Sequence, residues 1–170
     1  MMRVLLLATG LTALAASMAA PVLASDDWEI EGLAFGWSLY EKGDPSTPAE
    51  YSVKGVYEGY GPEFSFGCTR GYAFDVVWKP DVPVTGGAFV PVTITIDDVT
   101  VLDGNLVPND RNEYAWTGRD GEAYDIVAAI WEAWEGDLTV SAGGATDTIY
   151  FDEDMLGGIS ELVLEACGKF

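Results

Sequence analysis

The chain has no histidine, only two cysteines, and eight basic residues against 28 acidic ones. Each shortage removes a class of chemistry. Without histidine there is no Ser-His-Asp or Cys-His nucleophilic site, no usual zinc ligand set, and no side chain whose ordinary pKa lies near neutrality. The two cysteines stand at positions 68 and 167, so no CxxC redox pair exists. The shortage of Lys and Arg argues against nucleic acid and anionic lipid headgroups as partners. Neither a GxGxxG strand-turn-helix nor a GxxxxGK[ST] loop occurs, so nucleotide chemistry is unsupported and no cofactor is expected.

A long apolar run occurs once, at the start. MMRVLLLATGLTALAASMAAPVLAS carries Arg3, then no charge from Val4 to Ala20, and reaches the small-residue tripeptide Val22-Leu23-Ala24. That is the pattern of a secretory signal peptide over residues 1–24, leaving 25–170 as a single β-rich domain. Pro21 interrupts the run, and Asp26, Asp27, Glu29 and Glu31 follow where a membrane anchor would place positive charge. The expected location is therefore periplasmic or secreted, with no membrane insertion after cleavage. Cleavage removes Arg3 and no acid, taking the net charge from −20 to −21. Such an excess reads first as a surface suited to a saline medium. An acidic face for a basic partner or divalent cations is the alternative.

In an exported chain two cysteines are read as one disulfide, Cys68–Cys167. In EFSFGCT, Phe64, Phe66 and Cys68 alternate on one strand face, directing Cys68 inward. Near the other end Ile159, Leu162, Val163 and Ala166 recur at helical spacing, and Cys167 falls one turn after Val163. The thiols can meet where this last helix lies on the sheet. Closing a loop of roughly 100 residues is worth about 4.7 kcal/mol on the chain-entropy account.

Period-two alternation dominates what remains. LAFGWSL places Leu33, Phe35, Trp37 and Leu39 on one face; YAFDVVWK does so with Tyr72, Phe74, Val76 and Trp78; PVTITID with Val92, Ile94 and Ile96; EYAWT with Tyr114 and Trp116. GDPSTP at 43–48 and KPDVP at 79–83 read as turns, and Asp103-Gly104 as a hairpin between VTVL and NLVP. The period then changes. Tyr124, Val127, Ala128, Trp131 and Trp134 mark an amphipathic helix near 121–135, capped by Asp120 and closed by Gly136. A hairpin about Gly143-Gly144 follows, then a C-terminal helix near 155–166 starting around Asp154. The order predicts a mainly β fold, a β-sandwich or curled antiparallel sheet with two packed α-helices.

Paired carboxylates are the remaining candidates for catalysis. Asp97-Asp98 and Asp152-Glu153-Asp154 have the composition of glycosidase acids or a cation site. Acids before a helix also serve its positive dipole end, and adjacent pairs are common in so acidic a chain. Trp37, Trp78 and Trp116 fall on inward strand positions and Trp131 and Trp134 on the helix stripe, leaving Trp28 unassigned. The oxygen-rich segment 103–113, DGNLVPNDRNE, lacks EF-hand spacing and reads as a solvated loop. Arg70, beside Cys68, is expected to form a local ion pair. No catalytic, cofactor-binding or metal residue is assigned.

The layout from about residue 60 to 170 resembles a group of small exported proteins. It combines a cysteine closing a strand, the acidic step TITIDD, a helix ending at Gly, the hairpin GDLTVSAGGATDTIYF and the tail DMLGGISELVLEAC. These are similar to the periplasmic type VI secretion accessory proteins of the VasI/TagO-like family, and more loosely to the invasion-associated locus B family. The resemblance implies a non-enzymatic accessory protein that contacts a protein or another cell-envelope component. Two other readings stand beside it: a carbohydrate-active hydrolase using paired carboxylates, and a cation-dependent adhesive module. Aromatic side chains outside the core would favour the hydrolase, and their absence the accessory protein.

Overall fold

The computed structural model describes residues 29–32, 36–47, 49–59, 61–69, 73–152 and 158–168, and the segment 1–24 lies outside them. The chain runs through β1 (Glu29–Gly32), β2 (Trp37–Lys42), β3 (Ser52–Tyr57), β4 (Glu63–Thr69), β5 (Ala73–Lys79), β6 (Val90–Ile96), β7 (Val99–Leu106) and β8 (Tyr114–Gly118). Helix α1 (Glu122–Ala133), strands β9 (Gly136–Ala142) and β10 (Ala145–Phe151), and helix α2 (Gly158–Ala166) follow. Two antiparallel sheets result, ordered β1-β2-β3-β4-β5-β8 and β10-β9-β6-β7. The fold is the expected mainly β, sandwich-like arrangement with two helices.

The core is legible as rows across the larger sheet. Trp37, Tyr57, Phe64, Trp78 and Tyr114 stand directly opposite one another on β2, β3, β4, β5 and β8. Neighbouring rings meet at centroid distances of 5.5 Å for Trp37–Tyr57 and 5.7 Å for Trp78–Tyr114. Tilted pairs of this kind contribute about 0.5–1.5 kcal/mol beyond the area they bury. Both indoles of the row reach the edge strand of the smaller sheet. Trp37 Nε1 donates to the Tyr150 carbonyl at 3.3 Å, and Trp78 Nε1 to Asp147 Oδ2 at 2.9 Å. The Tyr114 hydroxyl is buried without a partner among the described residues.

The next row, Leu39, Gly55, Phe66, Val76 and Trp116, lies toward the helices. A Cβ on Gly55 would stand 2.9 Å from Ile159 Cγ2 of α2, so the missing side chain is what lets the helix approach. One row further on, Cys68 is bonded to Cys167 just past α2, with a Cα–Cα distance of 5.7 Å. Both cysteines are buried. α1 packs on β8 and β5 of the larger sheet, on β7 and β6 of the smaller one, and against α2.

Five sequence expectations need correction. LAFGWSL is not one continuous strand: Gly36, at φ 86°, precedes β2, which begins at Trp37. Trp37 and Leu39 lie on β2, while Leu33, Phe35 and the Tyr72 of YAFDVVWK fall outside the described residues. Asp103-Gly104 is not a turn; both residues lie within β7, and Gly104 faces Val92 of β6 beside Glu122 of α1. The hairpin turn is Asp97-Asp98, whose φ angles of 47° and 64° give the doubly left-handed geometry a tight two-residue turn needs. α1 begins after Gly121, not Asp120, and ends at Trp134 with φ 64°, so Gly136 opens β9 instead of closing the helix. Trp134 therefore leaves the helix stripe and is 53% exposed. The described part of the last helix starts at Gly158, and residues 153–157, with Asp154, lie outside the described residues.

Candidate binding face of the four-stranded sheet

Of the sequence-predicted acids, the structure describes Asp97, Asp98 and Asp152. Asp97 is occupied by the fold: its carboxylate accepts from the Asp137 N–H at 2.9 Å, and its own N–H donates to the Asp137 carbonyl at 3.2 Å. This reciprocal pair compensates the left-handed backbone of the turn. Asp98 is exposed beside it, and Asp152 follows the end of β10. Glu153, Asp154, Arg70 and Trp28 lie outside the described residues.

The oxygen-rich segment 103–113 is only partly a loop. Asp103 and Asn105 are on β7. Asn109 Oδ1 accepts from the Arg111 and Glu113 N–H groups, and its amide donates to the Glu113 carbonyl. Asn112 bridges the Pro80 carbonyl and the Val84 N–H. Both amides thus hold the turn together, and the described residues contain no group of three or more acidic or cysteine side chains placed to hold a metal ion.

The candidate surface that the sequence reading missed is the outer face of the smaller sheet. Its inner face is apolar apart from Asp147, with Ile94, Leu138, Val140 and Ile149 fully buried. The residues between them point outward. Register places Thr148, Thr139, Thr95 and Thr100 in one row across β10, β9, β6 and β7, and Thr146, Ser141, Thr93 and Asp103 in the next. Seven hydroxyls and one carboxylate occupy these eight positions. Strand geometry spaces them by about 4.8 Å across strands and about 6.7 Å along them. Thr139 and Thr148 share a hydrogen bond at 2.9 Å, as do Ser141 and Thr146 at 3.1 Å.

One step beyond the first row, Tyr150 stands opposite Asp137 and is 47% exposed. Partial desolvation and the charges of Asp152, Glu135 and Asp137 hold its phenol above the ordinary tyrosine pKa. Exposed Trp134 immediately precedes Glu135 at this end of the sheet. A shallow open depression here is lined by Asp97, Asp98, Asp137, Thr139 and Thr148. The alternation of PVTITID and DLTVSA carried the signal. Each stretch gives its inward residues as core and its outward ones as hydroxyls, but only the register shows that the hydroxyls of four strands align.

The outer face of the six-stranded sheet differs. Tyr40, Lys54, Gly67, Asp75 and Thr117 form a row there, with Lys54 Nζ 4.9 Å from the centre of the Tyr40 ring. Lys79 pairs with Glu63 at 3.4 Å on the same sheet. Charges of both signs mark that face, whereas the hydroxyl face has no basic residue among its eight positions.

No family model, curated protein or solved structure matches the chain. No helix among the described residues is long and apolar enough to cross a membrane.

Proposed function

We propose that the protein is an exported, periplasmic or secreted binding protein without catalytic activity, working by contact between the outer face of its four-stranded sheet and a cell-envelope component. The observation that carries this reading is the aligned hydroxyl face, bordered by exposed Tyr150, in a chain of net charge −20. The disulfide suits an oxidising compartment. Resemblance to periplasmic accessory proteins points the same way. A non-catalytic role is supported by the histidine-free sequence, the pairing of both cysteines, and the use of Asp97 to hold its own turn.

The exposed aromatics Trp134 and Tyr150 are the feature expected of the carbohydrate-active alternative, and in the binding reading they serve as stacking surfaces for a sugar. The experiment is site-directed photo-crosslinking. A photoreactive residue at Thr95, on the hydroxyl face, is compared with one at Lys79, on the other sheet, in the presence of the producing cell's envelope fraction. Adducts from position 95 and not from 79 are expected. Equal labelling at both positions, or none at 95, would end the proposal.

A further inference from the structure

We infer that the envelope component recognised by the four-stranded sheet is a neutral polysaccharide, laid across the two hydroxyl rows with one sugar ring stacked on Tyr150. This rests on the proposed binding role of that face and names its ligand class. The argument starts from charge. The chain has 28 acids in 170 residues, yet seven of the eight aligned outward positions on β10, β9, β6 and β7 are Thr or Ser. A surface whose only charges are negative, Asp103 within the rows and Asp98 and Asp137 at the Tyr150 end, repels polyanions directly and through the field of its acidic surround. It also lacks the basic side chains that sulfate, phosphate or uronate groups require.

Hydroxyl chemistry supplies the complement. Each Thr or Ser hydroxyl both donates and accepts, as does each hydroxyl of a neutral sugar. A repeating polymer then meets a repeating surface. The two side-chain bonds Thr139–Thr148 and Ser141–Thr146 fix rotamers in advance and leave further lone pairs outward, which lowers the ordering cost of binding. Carboxylates at the Tyr150 end, Asp98 and Asp137 among them, can accept from sugar hydroxyls, while the exposed ring offers an apolar platform. Binding per site is expected to be weak and to gain strength along the polymer from repeated contacts.

Native gels cast with dextran, galactomannan or a mixed-linkage β-glucan test this directly, using the disulfide-bonded protein and alginate and poly-lysine as charged comparators. The expected result is retardation by at least one neutral polymer, unchanged mobility in alginate, and at least tenfold weaker retardation for Tyr150→Ala and for Thr95→Glu. Thermal melting and near-ultraviolet circular dichroism show whether each variant keeps the native core. A third variant, Thr148→Val, keeps the side-chain shape and removes one hydroxyl; it should weaken retardation several-fold with folding intact. Retardation by no neutral polymer, by poly-lysine alone, or undiminished in all three variants overturns the ligand assignment. If crosslinking from Thr95 still captures envelope material in that case, the binding face survives and only the ligand class is wrong. If it captures nothing, both fall.

Discussion

Trp78 and Asp147, 69 positions apart, join the two sheets through an indole N–H donated to a buried carboxylate at 2.9 Å. Burial raises the Asp147 pKa above the ordinary value of 3.8. The Trp78 bond and a second donor, the Asp81 N–H, oppose the rise, and the Asp81 charge adds to it. Asp75 is likewise raised, by burial first, with Lys54 lowering and Glu113 raising it. A carboxyl raised in the fold binds more protons in the native state than in the unfolded one. Its contribution is therefore most favourable below about 3.8 and is lost as pH climbs through the raised folded value.

The protein should consequently melt at a higher temperature near pH 4 than at pH 8 in the same buffer salt, the loss falling between about 3.8 and the raised folded values. Asp147→Asn should flatten part of that slope. Calorimetric melting across this range checks both. Equal melting temperatures at the two pH values would remove the contribution assigned to the buried carboxyls.

The Cys68–Cys167 bond spans 99 positions, the largest loop the two cysteines of this chain can close. Reduction, or the double change Cys68→Ala with Cys167→Ala, should cost up to about 4.7 kcal/mol. Hydrogen exchange should localise the first loss of protection to α2, which is held otherwise by Ile159, Val163 and Leu164. Uniform loss across both sheets would show that the bond stabilises the whole fold equally.

Gly55 is the contact point between β3 and α2. Gly55→Ala places a methyl 2.9 Å from Ile159 Cγ2 and 3.3 Å from the Phe66 ring, so the helix must shift. Overpacking of this kind costs about 1–3 kcal/mol. Urea denaturation should show it, and Gly55→Ala combined with Ile159→Val should recover part of the loss by trimming the opposing side chain.

Salt acts on the surface as a whole. With net charge −20, added NaCl should raise the melting temperature steadily, because screening weakens repulsion among exposed acids over a Debye length of about 8 Å at physiological ionic strength. The single exposed ion pair Lys79–Glu63 among the described residues loses little in exchange. A melting temperature that is flat or falling between low and near-molar NaCl would remove the idea of a repulsion-limited surface.

Much of the fold could be read before any coordinates, and particular residues show where the reading stopped. Phe64, Phe66 and Cys68 alternate and are buried as expected, because one face of β4 meets the core and the other does not. The disulfide followed from that alternation together with the helical spacing of Ile159 and Val163. β3 was hidden because Gly55 takes an inward position where a large apolar residue would have marked the strand. The β6–β7 turn was misplaced because Asp-Gly is the commoner tight-turn pair, while Asp97-Asp98 relies on a bond to Asp137, 40 positions away. Trp134 reads as a helix-face residue until the chain turns at its own left-handed backbone. The hydroxyl face depended on register, which pairs residues from four strands and is set by the folded sheet, not by any one segment.

The covalent bond also orders events in time. Cys68 sits in the fourth strand of the larger sheet, and its partner follows every other described element of the chain. Closure to Cys167 therefore has to wait until the ten described strands and both described helices have been synthesised, and Cys68 remains a free thiol until then.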